Sequence, residues 1–302
     1  MIMGYKNEFQ ESIEKPEHFW RKQAELIKWY EFPKNILSED ENGFYRWFKG
    51  GKLNTSYLLL DYHIECGRGD QTALIYDSPV TNSQSKFSFK ELLEKVANFA
   101  GVLRDNGIEK GDRAIIYMPM IPEALVAMLA CARLGAIHSV VFGGFAPKEL
   151  AIRIDDAKPK ILLTASCGIE FSNVIEYKPL VDEAIRISQH PPQTVILLQR
   201  PQSKASMKTG RDFDWNELSN RSSPASPVPV DATDPLYILY TSGTTGLPKG
   251  VVRDNGGHAV ALKYSMKAIF NSEPGDVYWA GSDVGWVVGH SYIVYAPLIH
   301  GC

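Results

Sequence analysis

The sequence predicts an α/β fold of wound, mainly parallel sheets flanked by helices. Two observations carry that prediction. Short β-branched apolar runs alternate with helical stretches from about residue 70 onward, the rhythm of repeated β-α-β units. The strand runs are apolar at nearly every position, as strands buried on both faces must be. The length of 302 residues gives room for about two domains and a core that needs no staples.

The elements follow in order. Residues 16–30, PEHFWRKQAELIKWY, read as an amphipathic helix with Phe19, Ala24, Leu26 and Ile27 on or near one face and Trp20 beside them. Ser88 and Glu91 form a capping-box pair, with Phe87 and Leu92 placed as its hydrophobic staple. The helix they open stops at Gly107, a C′ residue. RAIIYM (113–118) is a strand, and ALVAMLACARL (124–134) is a buried helix closed by Gly135. IHSVVF is a strand, PKELAIRIDDA a helix, KILLTA a strand, KPLVDEAIRIS a helix and TVILLQ a strand. Residues 201–233, rich in Pro and Ser, read as a surface connection holding a short DWNEL helix. The strand PLYILY follows it.

Composition narrows the class. The chain is 44% hydrophobic and 22% charged, with 32 basic and 35 acidic side chains and a net charge of -3. That balance argues against a polybasic nucleic-acid surface. The four cysteines lie far apart with no CxxC pair, so reduced, mostly buried thiols are expected and no structural metal. The longest apolar run, residues 124–132, is far short of the roughly 20 residues of a membrane span. No signal or transit pattern is visible at the N-terminus. A cytoplasmic protein is expected, or one of the mitochondrial matrix if a transit peptide has been removed.

The chemistry concentrates in YTSGTTGLPKG (240–250), directly after an apolar strand. Glycines let backbone N–H groups approach an anion, hydroxyls add donors, and Lys249 adds charge. The set suits a polyphosphate. It is not a Walker A loop, because Lys249 follows Pro248 and precedes Gly250. Gly67-Arg68-Gly69 fails the dinucleotide fingerprint in the same way. His290 reads more readily as a structural or substrate-adjacent histidine than as a general base.

YTSGTTGLPKG resembles the phosphate-loop signature of the adenylate-forming enzymes. Phe142-Gly143-Gly144-Phe145 and DVGWVVGHSY (283–292) resemble the acetyl-CoA synthetase branch. VVRDNGGHAVAL (251–262) is most similar to propionyl-CoA synthetases and their short-chain relatives, and the N-terminal EHFW segment is similar to that branch's N-terminal extension. The resemblance implies the large N-terminal domain of these enzymes, present incompletely: an extension over 1–63 and the first part of the AMP-binding domain over 64–302. The family's C-terminal half and mobile domain have no counterpart here.

The resemblance also implies a function. The family joins a carboxylate to CoA at the expense of Mg-ATP, through an acyl-adenylate. Thr241, Ser242, Gly243, Thr244, Thr245, Gly246 and Lys249 would hold the ATP phosphates. Trp286, Val287 and Val288 would line the acyl pocket, with Val288 where acetate-specific relatives carry Thr, which fits propionate first and acetate second. Phe142, Gly143 and Gly144, together with Glu170, Phe171, Ser172, Asn173 and Val288, would meet CoA, although many relatives place arginines in the 170–173 region. The small-molecule partners are thus ATP with Mg2+, CoA and a short-chain carboxylate. A second expectation is that residues 1–302 alone form a non-catalytic module that binds nucleotide, CoA or a partner, and that stopping at 298–302 leaves a sheet edge and a core face uncovered.

Overall fold

Seven strands form the central sheet of the computed structural model, which describes residues 4–241 and 248–302. They are β1 Arg113–Tyr117, β2 Ile137–Val140, β3 Ile161–Ala165, β4 Thr194–Leu198, β5 Asp212–Asp214, β6 Pro235–Thr241 and β7 Lys249–Asp254. Their spatial order is β5-β4-β3-β1-β2-β6-β7. Every neighbouring pair is parallel except the β6–β7 hairpin.

Both sheet faces are covered, which explains the continuous apolar runs. Ala114, Ile116, Leu163 and Ile196 pack on one face with α1 (Phe89–Asp105) and α2 (Pro122–Leu134). Ile115, Tyr117, Leu162 and Val195 face the other way, against α3 (Pro147–Ala157) and α4 (Tyr177–Ile187). The chain leaves β1 through α2 to β2 on one side. It then returns through α3, on the opposite face, to β3 on the other side of β1. That reversal opens a crevice beyond the carboxyl ends of β1 and β2, the place where wound sheets bind ligands.

Local signals behave as their chemistry requires. The Ser88 side chain accepts from the Glu91 N–H, and the Glu91 carboxylate accepts from the Ser88 N–H at 2.8 Å. Gly135 closes α2 in the left-handed region at φ 69°.

Two expectations are corrected, and a third in part. The N-terminal segment forms two helices, Tyr5–Glu14 and Pro16–Ala24, rather than one over 16–30. The Trp29 indole N–H donates to the Ala24 carbonyl at 2.8 Å and ends the second helix, while Leu26 is exposed. The 201–233 stretch is more than a surface connection. It supplies the edge strand β5, whose Asp212 pairs with the buried Lys178 of α4 at 2.9 Å, and it buries Trp215 against the Phe99 ring. The last residues themselves are covered, since Leu298, Ile299, His300 and Cys302 are buried, but β7 stands at the edge of the sheet with Val251 and Val252 exposed. The exposed apolar side chains nearby are Ile269, Val277 and Trp279. Of the cysteines, Cys66 is exposed and the other three are buried, all as free thiols.

The N-terminal segment shares the main core. Leu53, Leu58, Leu59 and Leu60 belong to the same cluster as α1 and α2. Asn54 donates to the Ala132, Arg133 and Val228 carbonyls, and Arg133 pairs with Asp61 at 2.7 Å. No helix among the described residues is long and apolar enough to cross a membrane.

Candidate functional site

The β6–β7 hairpin places Thr241 directly opposite Lys249. Both are exposed at the carboxyl end of β6, so the hydroxyl and the ammonium flank the loop that joins them. Ser242, Gly243, Thr244, Thr245 and Gly246 lie outside the described residues. The root of the loop is anchored. The Tyr240 hydroxyl donates to Asp156 of α3 at 2.6 Å, and burial followed by this carboxylate pushes the phenol's pKa well up. The Arg153 guanidinium sits 5.5 Å from the Tyr240 ring and 4.9 Å from the Phe145 ring, a cation between two π-faces.

The 142–145 turn follows β2 and is held by tyrosines. The Tyr117 hydroxyl donates to the Phe145 carbonyl at 2.8 Å and accepts from the Gly144 N–H at 3.2 Å. Burial pushes its pKa up to about 12. Gly143 and Gly168 both close on the Tyr177 hydroxyl, where a Cβ on either would overlap it. Cys167–Glu170 and Asn173–Glu176 form a hairpin whose tip carries Phe171, at φ 54° and 92% exposed. Glu170 rests against Gly144. The structure therefore brings Phe142, Gly143, Gly144 and Glu170 together, with Phe171 and Ser172 projecting beyond them and Asn173 opposite Glu170.

The 283–290 turn completes this second wall. The Asp283 carboxylate accepts from the Gly285 N–H at 2.7 Å, and burial raises its pKa. Gly289 passes so close to the Asp283 carbonyl that a Cβ has no room. Trp286, Val287 and Val288 are each about half exposed. The Trp286 ring lies 6.1 Å from Phe142 and 6.4 Å from Phe145, centroid to centroid. These rings line a cavity of about 260 Å³ with Arg153, Tyr240 and Pro248. Val287 and Val288 face a second cavity, of about 1070 Å³, shared with Trp20, Trp47, Tyr237 and His258. The three residues of the turn thus divide between two cavities.

His290 is buried, and its Nδ1 lies 2.9 Å from the Val284 carbonyl. Burial lowers its pKa to about 4, so it is a neutral structural group and not a base facing the crevice. Among the described residues no cluster of three or more His, Cys, Asp or Glu is placed to hold a metal.

Sequence reasoning missed Tyr117, Tyr177, Arg153 and Tyr240. Tyr240 adjoins the loop and was within reach of inspection. The other three act through contacts distant in sequence, which no local pattern marks.

What these walls can do chemically is clear from their parts. One presents a hydroxyl and an ammonium at a strand end, fit for phosphate oxygens. The other presents an aromatic cluster and half-exposed valines, fit for a small apolar group.

Two family models and several relatives match the chain. The family model described as AMP-binding enzyme matches residues 64–302, and the model of the acetyl-coenzyme A synthetase N-terminus matches residues 5–59. An uncharacterized protein of Pseudomonas aeruginosa is 59% identical over 99% of this chain and 48% of its own length. The human mitochondrial acyl-CoA synthetase short-chain family member 3 is 54% identical over 98% of this chain and 43% of its own. The propionate–CoA ligase of Escherichia coli K12 is 46% identical over 99% of this chain and 48% of its own. The chain thus spans about half the length of these curated relatives. It belongs to the AMP-binding enzyme family, in the branch that carries the acetyl-coenzyme A synthetase N-terminus.

Proposed function

We propose that this chain is the N-terminal part of an AMP-forming short-chain acyl-CoA synthetase that prefers propionate and also accepts acetate. In this reading residues 1–63 are the N-terminal extension and 64–302 the first part of the adenylating domain. The observation that carries it is the meeting, at one end of one sheet, of the Thr241–Lys249 strand ends with the Phe142–Trp286 aromatic wall. The names of the relatives, which include a propionate–CoA ligase and a short-chain acyl-CoA synthetase, support it.

The reaction has two halves. A carboxylate oxygen attacks the α-phosphorus of ATP, forming the acyl-adenylate and releasing diphosphate. The CoA thiol then attacks the acyl carbon, forming the thioester and releasing AMP and the thiol proton. Negative charge accumulates on the departing diphosphate, and the Thr241–Gly246 donors with Lys249 stabilise it where it develops. Mg2+ enters as part of the nucleotide substrate. Val287 and Val288, which face the larger cavity, hold the short acyl group, with Trp286 at the turn between the two cavities. The apolar Val288 favours one more methylene than acetate has, a preference of about 1–3 kcal/mol. CoA runs along Phe142, Gly143 and Gly144 toward the 170–173 hairpin. Glu170 and Asn173 give its phosphates no cation there, so this end contributes little binding. The expected compartment is the cytoplasm, or the mitochondrial matrix after loss of a transit peptide.

Hydroxamate trapping of the acyl-adenylate tests the reading, using the longer protein that contains this chain with acetate, propionate, butyrate and octanoate. Propionate should give the highest kcat/KM and acetate the next. Equal or better use of octanoate would sink the short-chain claim. A second reading is favoured by the share of the relatives that is matched, 43–48%: residues 1–302 alone bind without turning over. Acyl-CoA formation by purified 1–302 would refute it.

A further inference from the structure

The turn that presents Trp286, Val287 and Val288 rests on a buried pair of histidines. His138 lies in β2 and His290 closes the turn, and both are 0% exposed. His290 Nδ1 is 2.9 Å from the Val284 carbonyl oxygen. A carbonyl only accepts, so Nδ1 carries the proton and a neutral ring leaves Nε2 bare. That nitrogen faces His138 Nε2 at 3.0 Å. Two bare nitrogens at this distance repel, so His138 is the donor and its own proton sits on Nε2.

The remaining groups agree. His138 Nδ1 is buried without a hydrogen-bond partner among the described residues. As a bare acceptor it costs less than an orphaned N–H would. Tyr295 Oη, 3.0 Å from the same His138 Nε2, shares that proton. The rings packed against the pair are Tyr237 and Tyr295, with His258 edge-on to both of these, and none of them is anionic. A charged imidazole would therefore lack a counterion. Burial and the two neighbouring histidines keep His138 neutral.

We propose that His138 is a positioning residue for the acyl site: its Nε2–H, relayed through the His290 ring to the Val284 carbonyl, fixes the turn that carries Trp286 and Val288. The proposal rests on the reading of that turn as the acyl site. Two bonds reach the turn from His290. One is the ring N–H to Val284, and the other is the backbone N–H to the Trp286 carbonyl at 2.8 Å. They straddle Gly285, so the ring orientation sets the angle at which Trp286 leaves the turn. β2 supplies the fixed end, because His138 sits in register with Ala114 of β1 and Tyr237 of β6 in the middle of the sheet.

Fluorine NMR of the fluorotryptophan-labelled chain tests this, with nitrogen-15 spectra of labelled histidine beside it. The Trp286 signal is assigned by Trp286→Phe. Trp215, stacked on Phe99, serves as the internal reference. In the wild type His290 should show Nδ1–H and His138 should show Nε2–H. His138→Leu, which removes the donor, should shift or broaden the Trp286 signal and leave Trp215 in place. His138→Gln, whose amide can donate to the same nitrogen, should restore it. The opposite tautomer at His290, or an unmoved Trp286 signal in His138→Leu, would overturn the proposal. If His138→Leu fails to fold, the wild-type tautomers and His138→Gln still decide: an altered Trp286 signal in a folded Gln variant contradicts the relay. A Trp286 signal indifferent to propionate, with the expected tautomers present, would instead count against the acyl reading and leave the relay standing.

Discussion

Around Gly143, Gly168, Gly285 and Gly289 one wall of the crevice is packed so closely that a Cβ meets backbone or a tyrosine hydroxyl at each position. On the opposite wall Thr241 and Lys249 stand exposed at paired strand ends. The two walls work differently. On the proposed reading the packed one selects by shape, and a misplacement there spreads into the fold. The exposed one supplies charge and donors, and loses chemistry without losing structure. A substitution should therefore move stability on one wall and activity on the other.

The largest expected effect is on the exposed wall. Lys249→Ala should lower ATP-dependent turnover of the longer protein about 100- to 1,000-fold, while the unfolding free energy of the chain in urea holds within about 0.5 kcal/mol. An equal loss of stability would erase the contrast. On the packed wall Gly289→Ala should cost about 2–3 kcal/mol in urea unfolding, because its Cβ must displace the Asp283 carbonyl. A neutral result would show that the wall can give.

Buried histidines add a pH dependence: His290 lies under the packed wall, and His63 lies in the N-terminal segment against the Leu298 carbonyl. Burial lowers the pKa of both His63 and His290 from 6.5 to about 4. The unfolded chain binds these protons first as pH falls. The stability is thus fully present above pH 6.5 and is lost between about 6.5 and 4, by up to ~1.4 kcal/mol per pH unit for each histidine. Unfolding midpoints measured across that window should fall with pH. A flat profile would contradict the burial of these rings. The smallest effect is Val288→Thr, which should swing propionate-over-acetate selectivity about 10-fold toward acetate. An unchanged ratio would remove Val288 from the acyl pocket.

Much of the scaffold was readable before the structure. Both-face burial made β1 to β4 visible as apolar runs, and the Ser88–Glu91 box and Gly135 marked helix ends through local hydrogen bonds and φ alone. The parts that escaped depend on distant partners. Trp29 reaches back to cap Ala24, Lys178 neutralises Asp212 and so holds β5, and Phe99 receives Trp215. The site divides along the same line. The phosphate loop announces itself by residue type, since glycines, hydroxyls and a lysine have few other common uses together. The proposed acyl and CoA walls were legible only through resemblance, because valine, tryptophan and glycine are ordinary core residues until packing assigns them a direction. Tyr117, Tyr177 and His138 show no sequence signal, because each works by meeting a residue far along the chain.

Hydrogen–deuterium exchange of the longer protein, with and without a non-hydrolysable propionyl-adenylate analogue, tests the two-walled crevice most directly. The account predicts that the analogue protects 240–250 and 283–290 together, and that an octanoyl counterpart fails to protect 283–290. Protection confined to one of these segments, or found only outside both, would contradict a single crevice serving phosphate and acyl group at once.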